Sequence, residues 1–290
     1  MAKTKKMIRE HLPLIDIVLE LLDARIPFSS KNPDINGVIG HKNRIIILNK
    51  ADLASKEANE AWLNFFNEAG HKAIPIDSRE KAGFKKLVSI IQKMMEEKQN
   101  RGEMRGRKAL TIRAMALGIP NVGKSTFINQ LAGRAGTATG DRPGVTRGRQ
   151  WIRVNDYFEL LDTPGVLWPK FDDKMVGIKL AATGAISDNV VDIISLAEEL
   201  LALLIDIAPG SFIERYKLSG KPQINKEGLT NIPLRHILES IGAARGFLLK
   251  GGKIDTERAA LTLLDEFRGG KLGAISLESP HTIYEALLQN

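Results

Sequence analysis

The stretch Gly118–Ser125 places two glycines, a lysine and a serine at the spacing G-x-x-x-x-G-K-S. The apolar run Ile112 to Leu117 before it predicts a strand, and the residues after it predict the start of a helix. Glycines let backbone N–H groups surround phosphate oxygens, and the lysine reaches the terminal phosphates. The stretch therefore predicts a triphosphate-binding loop in which the Ser125 hydroxyl ligates Mg²⁺. The expected nucleotide contacts in this loop are Pro120, Asn121, Val122, Gly123, Lys124, Ser125 and Thr126.

An acidic turn, Asp162-Thr163-Pro164-Gly165, follows a second apolar run. It puts a carboxylate at the end of a predicted strand, where doubly wound sheets build their sites. We expect Asp162 to hold the Mg²⁺ through a water and the Gly165 amide to meet the γ-phosphate. The pattern D-x-x-G is common in ordinary turns, but its place downstream of the phosphate loop favours the functional interpretation.

Between these two motifs lies a polar segment, 141–146, punctuated by Gly and Pro. A hydroxyl here could reach Mg²⁺ only while a triphosphate holds the segment closed. Thr137 and Thr139 compete for this role, but Thr146 directly precedes the predicted strand Gln150 to Val154. The predicted catalytic groups are Lys124, Thr146 and Gly165, and the predicted metal ligands are Ser125, Thr146 and Asp162.

The tetrapeptide Asn49-Lys50-Ala51-Asp52 follows the β-branched run Arg44 to Leu48, and so ends another predicted strand. The Asp52 carboxylate can accept hydrogen bonds from both the ring N–H and the amine of guanine, which adenine lacks. Asn49 would orient the loop, and the Lys50 stem would cover the ring. Taken alone, the tetrapeptide is also typical of a turn that starts a helix. Ser78, after the predicted strand Lys72 to Ile76, is the candidate for a further contact with the guanine base. This contact usually comes from a Ser-Ala pair, whereas here Arg79 follows Ser78.

The base-reading motif precedes the phosphate loop, whereas an ordinary small GTPase has the opposite order. The five stretches in this order resemble the circularly permuted GTPases, and within them the ribosome biogenesis GTPase A (YlqF/RbgA) family. Segments that share this resemblance are Ile15-Asp16-Ile17-Val18, Asp23-Ala24-Arg25-Ile26-Pro27, Asp141-Arg142-Pro143-Gly144, Leu161 to Phe171, Arg245-Gly246-Phe247 and Gly251-Gly252.

The resemblance implies a cytoplasmic, monomeric factor that binds GTP/GDP with Mg²⁺ and acts on the maturing large ribosomal subunit and its rRNA. It implies GTP hydrolysis that is slow alone, is stimulated by the subunit and promotes a late maturation step. Because some related GTPases with Asn at the position of Asn121 are stimulated by K⁺, a K⁺ ion is a further hypothesis.

Two positions leave the water-activating group unassigned. Family members commonly carry an aromatic-Pro-Gly-His segment directly before the Met-Ala-Lys that opens this sequence. His11 lies too far along the chain to correspond to the histidine of that segment. Val166 stands where many signalling GTPases have the Gln that orients water.

Composition favours a soluble protein with a polyanionic partner. The 290 residues include no cysteine, which excludes disulfides and thiolate metal sites, and no apolar run is long enough to span a membrane. The net charge of +8 and the few aromatics favour phosphate and shape contacts with folded RNA, and an ordinary solvated surface is the alternative interpretation. Neither DNA nor membrane is expected. The clustered basic residues are Arg101, Arg105, Arg107, Lys108, Lys250, Lys253, Arg258, Arg268 and Lys271.

Alternating strand and helix patterns predict an α/β fold: a mostly parallel sheet with flanking helices, followed by a smaller all-helical domain. We expect the GTPase domain over 1–175, with a basic linker near 99–109, and the helical RNA-binding domain over 176–290. Two strands are expected to meet in a hairpin at Asn155-Asp156, and distal helices over Val190 to Ile205, Leu234 to Leu249 and Thr256 to Phe267.

Two other functions share these motifs. A GTPase of tRNA modification or signalling would associate with tRNA, a partner enzyme or a membrane. A nucleotide-dependent RNA-binding module would show negligible turnover.

Overall fold

The computed structural model describes residues 2–80, 82–103, 111–133, 150–163, 165, 173–218 and 233–281. The chain divides into two compact units, one of Met1–Lys170 with Glu278–Asn290, and the other of Phe171–Leu277. The predicted second domain, 176–290, differs from the second unit mainly at its end, because the chain returns to the first unit at Glu278. There the Glu278 carboxylate accepts hydrogen bonds from the Phe28 and Ser29 amides, and the Trp62 indole donates to the Glu278 carbonyl.

A six-stranded sheet forms the first unit. Its strands are β1 (Ile17–Asp23), β2 (Asn43–Asn49), β3 (Lys72–Ile76), β4 (Ile112–Gly118), β5 (Gln150–Asn155) and β6 (Phe158–Asp162). They lie in the order β3-β2-β1-β4-β6-β5, and all neighbouring pairs are parallel except β5 and β6. The predicted mostly parallel sheet is confirmed.

The register brings the motifs to one edge of the sheet. Asp23 pairs with Asn49, Asn49 pairs with Ile76, and Leu21 pairs with Gly118. The strands that carry the base loop, the Ser78 loop and the phosphate loop therefore all end at this edge, where parallel α/β sheets bind ligands.

Helices cover this sheet. They are α1 (Ala2–His11), α2 (Ile35–Ile39), α3 (Lys56–Glu68), α4 (Phe84–Glu103) and α5 (Lys124–Gly133). Val18 packs with α1 and α2 in one buried cluster, and Leu22 packs with α3 in another. Because alternate residues of a strand share a face, both clusters lie on the same face of β1.

The hairpin forms one residue later than predicted. Asn155 pairs with Phe158, so the turn residues are Asp156 and Tyr157. A register shift between Arg153 and Asn155 adds a residue to β5, and the Asn155 side chain accepts a hydrogen bond from the Tyr157 amide. Such a bulge is not visible in a hydrophobic pattern.

The second unit is helical in its described part. Its helices are α6 (Lys174–Ala182), α7 (Ile193–Ile207), α8 (Pro209–Arg215), α9 (Leu234–Ala244) and α10 (Thr256–Arg268). The apolar faces of α7, α9 and α10 meet in a core that includes Leu200, Leu204, Ile237, Ile241, Leu263 and Leu264. None of the described helices is long and apolar enough to cross a membrane.

Helix α9 ends five residues before the predicted end. Gly246 adopts φ +69°, its amide donates to Ala243, and the Phe247 amide donates to Gly242. These two bonds are those of a Schellman motif, which stops a helix whatever apolar residues follow.

Glu266 joins three elements of the second unit. Its carboxylate accepts two hydrogen bonds from Arg215, at 2.9 and 2.7 Å, and further bonds from Arg245. The hydrogen bonds from Arg215 outweigh the effect of burial and lower the pKa of Glu266 to about 2. This ionised carboxylate therefore stabilises the folded state above its ordinary pKa of 4.5, and the stabilisation is lost as pH falls to about 2.

We predict that Glu266→Gln destabilises the second unit by about 2 kcal/mol at neutral pH, because charged hydrogen bonds become neutral ones. Thermal unfolding at neutral and acid pH measures this. The loss relative to wild type should shrink as pH falls, while the exposed Glu257→Gln on the same helix should change little. An equal loss at all pH values would contradict the assigned role of the charge.

Candidate functional site

The phosphate loop joins β4 to α5 and is shaped by its glycines. Gly123 has φ +92°, and a Cβ added there would lie 2.4 Å from Asn49 Nδ2. A Cβ on Gly118 would lie 2.9 Å from Val122 Cγ1 and 3.0 Å from the Leu21 carbonyl. Both glycines are therefore needed for the close approach of this loop to β1 and to the base loop.

Lys124 and Asp162 form a largely buried ion pair, with 2.7 Å between Nζ and Oδ1. The Lys124 ammonium also donates to the Thr163 carbonyl. The Thr163 hydroxyl in turn donates to the Ala116 carbonyl at 2.6 Å, which fixes the end of β6 against β4. The structure thus brings together the lysine and the acid that the motifs predict to handle phosphate and metal.

Gly165 lies against the phosphate loop. A Cβ at this position would come within 2.9 Å of the Pro120 nitrogen and 3.0 Å of its Cα. No other residue type could bring its amide this close to the loop without displacing the Pro120 backbone.

Asn49 connects three loops through one amide side chain. Its Nδ2 donates to the Val122 carbonyl at 2.7 Å, and its Oδ1 accepts from the Ser78 hydroxyl at 2.7 Å. Asn49 and Ser78 are both buried. The base loop, the phosphate loop and the loop after β3 are therefore held in one arrangement, and Ser78 lies at the site.

Lys50 makes a second connection from the base loop to the phosphate loop. It has φ +58°, and its Nζ donates to the Asn121 carbonyl at 2.8 Å and to Asp23 Oδ2 at 3.0 Å. Asn121 also has a left-handed φ of 57°. Two non-glycine residues in this conformation, joined by one hydrogen bond, indicate backbone strain that the site maintains.

A buried ion pair supports Lys50. Arg25 donates from Nε and from its terminal nitrogen to the two carboxylate oxygens of Asp23, at 2.9 and 2.8 Å. Burial alone would raise the pKa of Asp23, but the Arg25 and Lys50 cations bring it below its ordinary value. Burial lowers the pKa of Lys50, and Asp23 opposes that shift. The motifs assigned no role to Asp23 or Arg25, although both belong to a segment that resembles the family; Asp23 is the last residue of β1, and Arg25 follows it in the loop.

Asp52 sits in a short 3₁₀ turn, Ala51–Leu53, that follows Lys50. Asp52 is exposed to solvent, and partial burial together with the Asp77 charge raises the pKa of its carboxyl. Asp77 itself accepts hydrogen bonds from the Arg79 and Glu80 amides, at 2.7 and 3.2 Å. The Asp77 charge therefore opposes ionisation of the predicted base-reading carboxylate.

Comparison with known proteins gives the family. A family model described as 50S ribosome-binding GTPase matches residues 113–224. Ribosome biogenesis GTPase A of Bacillus cereus is 42% identical over 285 residues, which cover 98% of this chain and 93% of that protein. The chain belongs to the ribosome biogenesis GTPase A family. It is a GTPase, as the motifs predict.

Further proteins and structures of the ribosome biogenesis GTPase A family are similar to this chain over nearly its full length. The protein of that name from Thermotoga maritima is 30% identical, over 97% of this chain and 92% of its own length. The GNP-bound structure of YlqF from T. maritima has a TM-score of 0.64 and 25% identity, and the match covers 96% of this chain and 98% of that one. A GDP-bound YlqF structure has a TM-score of 0.65. The predicted circularly permuted P-loop GTPase fold is confirmed.

The donor set suits the Mg²⁺ expected for a ribosome biogenesis GTPase. Ser125 and Asp162 offer one hydroxyl and one carboxylate, and Mg²⁺ is commonly bound by one or two protein oxygens plus substrate phosphates. Within the described ranges, no group of three His, Asp or Glu residues could hold a metal by itself. The residues present therefore fit a phosphate-assisted Mg²⁺ site.

Several predicted residues of this GTPase lie outside the described residues. They are Thr146, with its competitors Thr137 and Thr139, the Val166 position, and the linker residues Arg105, Arg107 and Lys108. His11 is described, and its Nδ1 lies 2.9 Å from the Met7 carbonyl one turn earlier in α1.

We predict that Asp77→Asn extends GTP binding to lower pH. Asp52 must be ionised to accept from guanine, so affinity falls as pH drops through its raised pKa. The Asn side chain can keep the Oδ1 bonds to Arg79 and Glu80 but removes the charge that raises the pKa of Asp52. Titration of GTP affinity across the acid range measures the shift.

The exposed Asp156→Asn in the hairpin turn is the matched control and should leave the profile unchanged. If the loss of GTP affinity at acid pH occurs at the same or a higher pH in Asp77→Asn than in wild type, the coupling between the two carboxylates is contradicted.

Proposed function

We propose that this GTPase binds the maturing large ribosomal subunit through its rRNA, in the cytoplasm, and promotes a late assembly step as a monomer. Three sources support the proposal: the site joins base and phosphate loops, the relatives are named ribosome biogenesis GTPase A, and the net charge of +8 suits rRNA. A mouse relative, 31% identical over 96% of this chain, is named mitochondrial ribosome-associated GTPase 1. Neither DNA nor a membrane is a proposed partner.

Guanine recognition falls to the base loop. Asp52 would accept from the ring N–H and the amine, and Asn49 and Ser78 would fix the loop. The Lys50 stem would cover the ring while its ammonium stays bound to Asp23 and Asn121. An adenine would leave the carboxylate without matching donors, which disfavours ATP.

At the phosphates, Lys124 would exchange its bond to Asp162 for the β- and γ-phosphate oxygens. Asp162, with Ser125 and Thr146, would hold Mg²⁺, which neutralises charge on the phosphates. The Gly165 amide and Lys124 would stabilise negative charge as water attacks the γ-phosphorus in line. A K⁺ ion beside Asn121 is the proposed further source of positive charge.

The aliphatic Val166 stands where the water-orienting Gln is usual, so intrinsic turnover should be slow until the subunit completes the site. Gly165 is followed closely in sequence by Phe171, where the second unit begins. A change at the γ-phosphate can therefore reach the helical unit directly along the chain.

We predict that the chain co-sediments with large subunits more strongly with a non-hydrolysable GTP analogue than with GDP. Lys124→Ala should remove the difference, because it deletes the side-chain cation at the phosphates. The exposed Lys56→Ala on α3 is a charge-matched control and should behave as wild type.

Wild type that sediments equally with both nucleotides, or Lys124→Ala that still distinguishes them, would contradict the proposed switch. Association with tRNA in place of the subunit would favour a GTPase of tRNA modification, and turnover that subunits do not increase would favour a binding module.

A further inference from the structure

Residues 247–254 lie in the loop between α9 and α10, and we refer to them as the finger. Leu248 and Ile254 form an antiparallel bridge, and the Leu249 amide donates to the Lys253 carbonyl at 2.8 Å. Gly251 and Gly252 turn the chain at φ +88° and +81°. These bonds give the finger a defined hairpin-like shape.

The base of the finger is packed against α9. Gly242 allows this contact, because a Cβ there would lie 2.6 Å from Ile254 Cγ2. The Asp255 amide donates to the Phe247 carbonyl at 2.9 Å. The Arg258 guanidinium, on α10, lies over the Phe247 ring at 4.3 Å from its centroid. These contacts hold the two ends of the finger, Phe247 and Ile254, in place.

Two large apolar side chains before the turn of the finger are exposed to solvent. They belong to the consecutive residues Leu248, which is 59% exposed, and Leu249, which is 52% exposed. Single exposed apolar residues are ordinary, whereas two consecutive exposed leucines in an ordered loop offer a small apolar area that a partner can cover.

The charged side chains of the finger itself are all positive. Lys250 and Lys253 are exposed beside the leucines, and the sequence of the finger contains no acidic residue. Apolar side chains framed by lysines suit an RNA surface, where phosphates meet the cations and an unpaired base or a ribose edge meets the apolar groups. An anionic membrane would need a larger apolar area than two leucines supply.

We propose that the finger is an RNA-docking element in which Lys250 and Lys253 contact phosphates while Leu248 and Leu249 pack on an unpaired base or a ribose edge. The proposal rests on the proposed function, since the RNA is that of the large subunit. The leucine contacts would contribute binding free energy that does not depend on salt, whereas the lysine–phosphate contacts weaken as salt rises.

The test compares two double variants of the full chain. Leu248→Ser with Leu249→Ser removes the apolar contact, and Lys250→Gln with Lys253→Gln removes the charges. Val190→Ser is the control, because Val190 is 73% exposed in the same unit, away from the finger in sequence. Binding to large subunits and to protein-free large-subunit rRNA is measured over a salt series with a non-hydrolysable GTP analogue.

The leucine variant should bind both the large subunit and the protein-free rRNA roughly tenfold more weakly at every salt concentration. The slope of its log affinity against log salt should stay that of wild type. The lysine variant should reduce the slope of log affinity against log salt by about one for each phosphate that a lysine no longer neutralises. Both variants should keep wild-type GTP affinity and unfolding temperature, because the four side chains are exposed.

A leucine variant that binds as wild type would overturn the finger proposal and leave the proposed function intact. A loss seen with whole subunits but not with protein-free rRNA would replace RNA with a ribosomal protein as the occupant. Wild type that binds neither target would overturn the proposed function and the finger proposal together.

Discussion

The amide side chain of Asn49 holds the nucleotide site together. It is buried at the end of β2, where it donates to the phosphate loop at Val122 and accepts from Ser78. Because both of its polar atoms are used at 2.7 Å, the side chain has one orientation, and so do the two loops. Base recognition and phosphate recognition are thereby built on one set of hydrogen bonds.

Close packing of backbone makes this arrangement possible. Gly123 leaves room for the Asn49 amide, and Gly165 leaves room for the Pro120 backbone. The left-handed conformations of Lys50 and Asn121 cost free energy, which the Lys50 bonds to Asp23 and to the Asn121 carbonyl help to offset. The buried Asp23–Arg25 pair fixes the acid that receives the Lys50 ammonium. Removing one member of such a pair would leave a buried charge without its partner.

The sequence predicts the local elements better than the contacts between them. The strand Lys72–Ile76 matches its prediction at both ends, because an apolar run is bounded there by polar turn residues. Helix α9 was predicted too long, since an apolar stretch continues past the Gly246 stop signal. The link from Asp23 to Lys50 joins neighbouring strands far apart in sequence, and no periodicity within one segment can predict it. The base loop and the phosphate loop are neighbours because both follow parallel strands of one sheet, and Asn49 and Lys50 join them. The individual roles of these residues stay predictions.

The most direct test of the Asn49 bridge is a double-mutant cycle on GDP affinity with Asn49→Ala, Ser78→Ala and the double variant. If the shared hydrogen bond orders the site, the two substitutions are non-additive by about 1 kcal/mol, since Ser78→Ala costs little once Asn49 is absent. Effects that add within about 0.3 kcal/mol would show that the two residues act independently and would contradict the account.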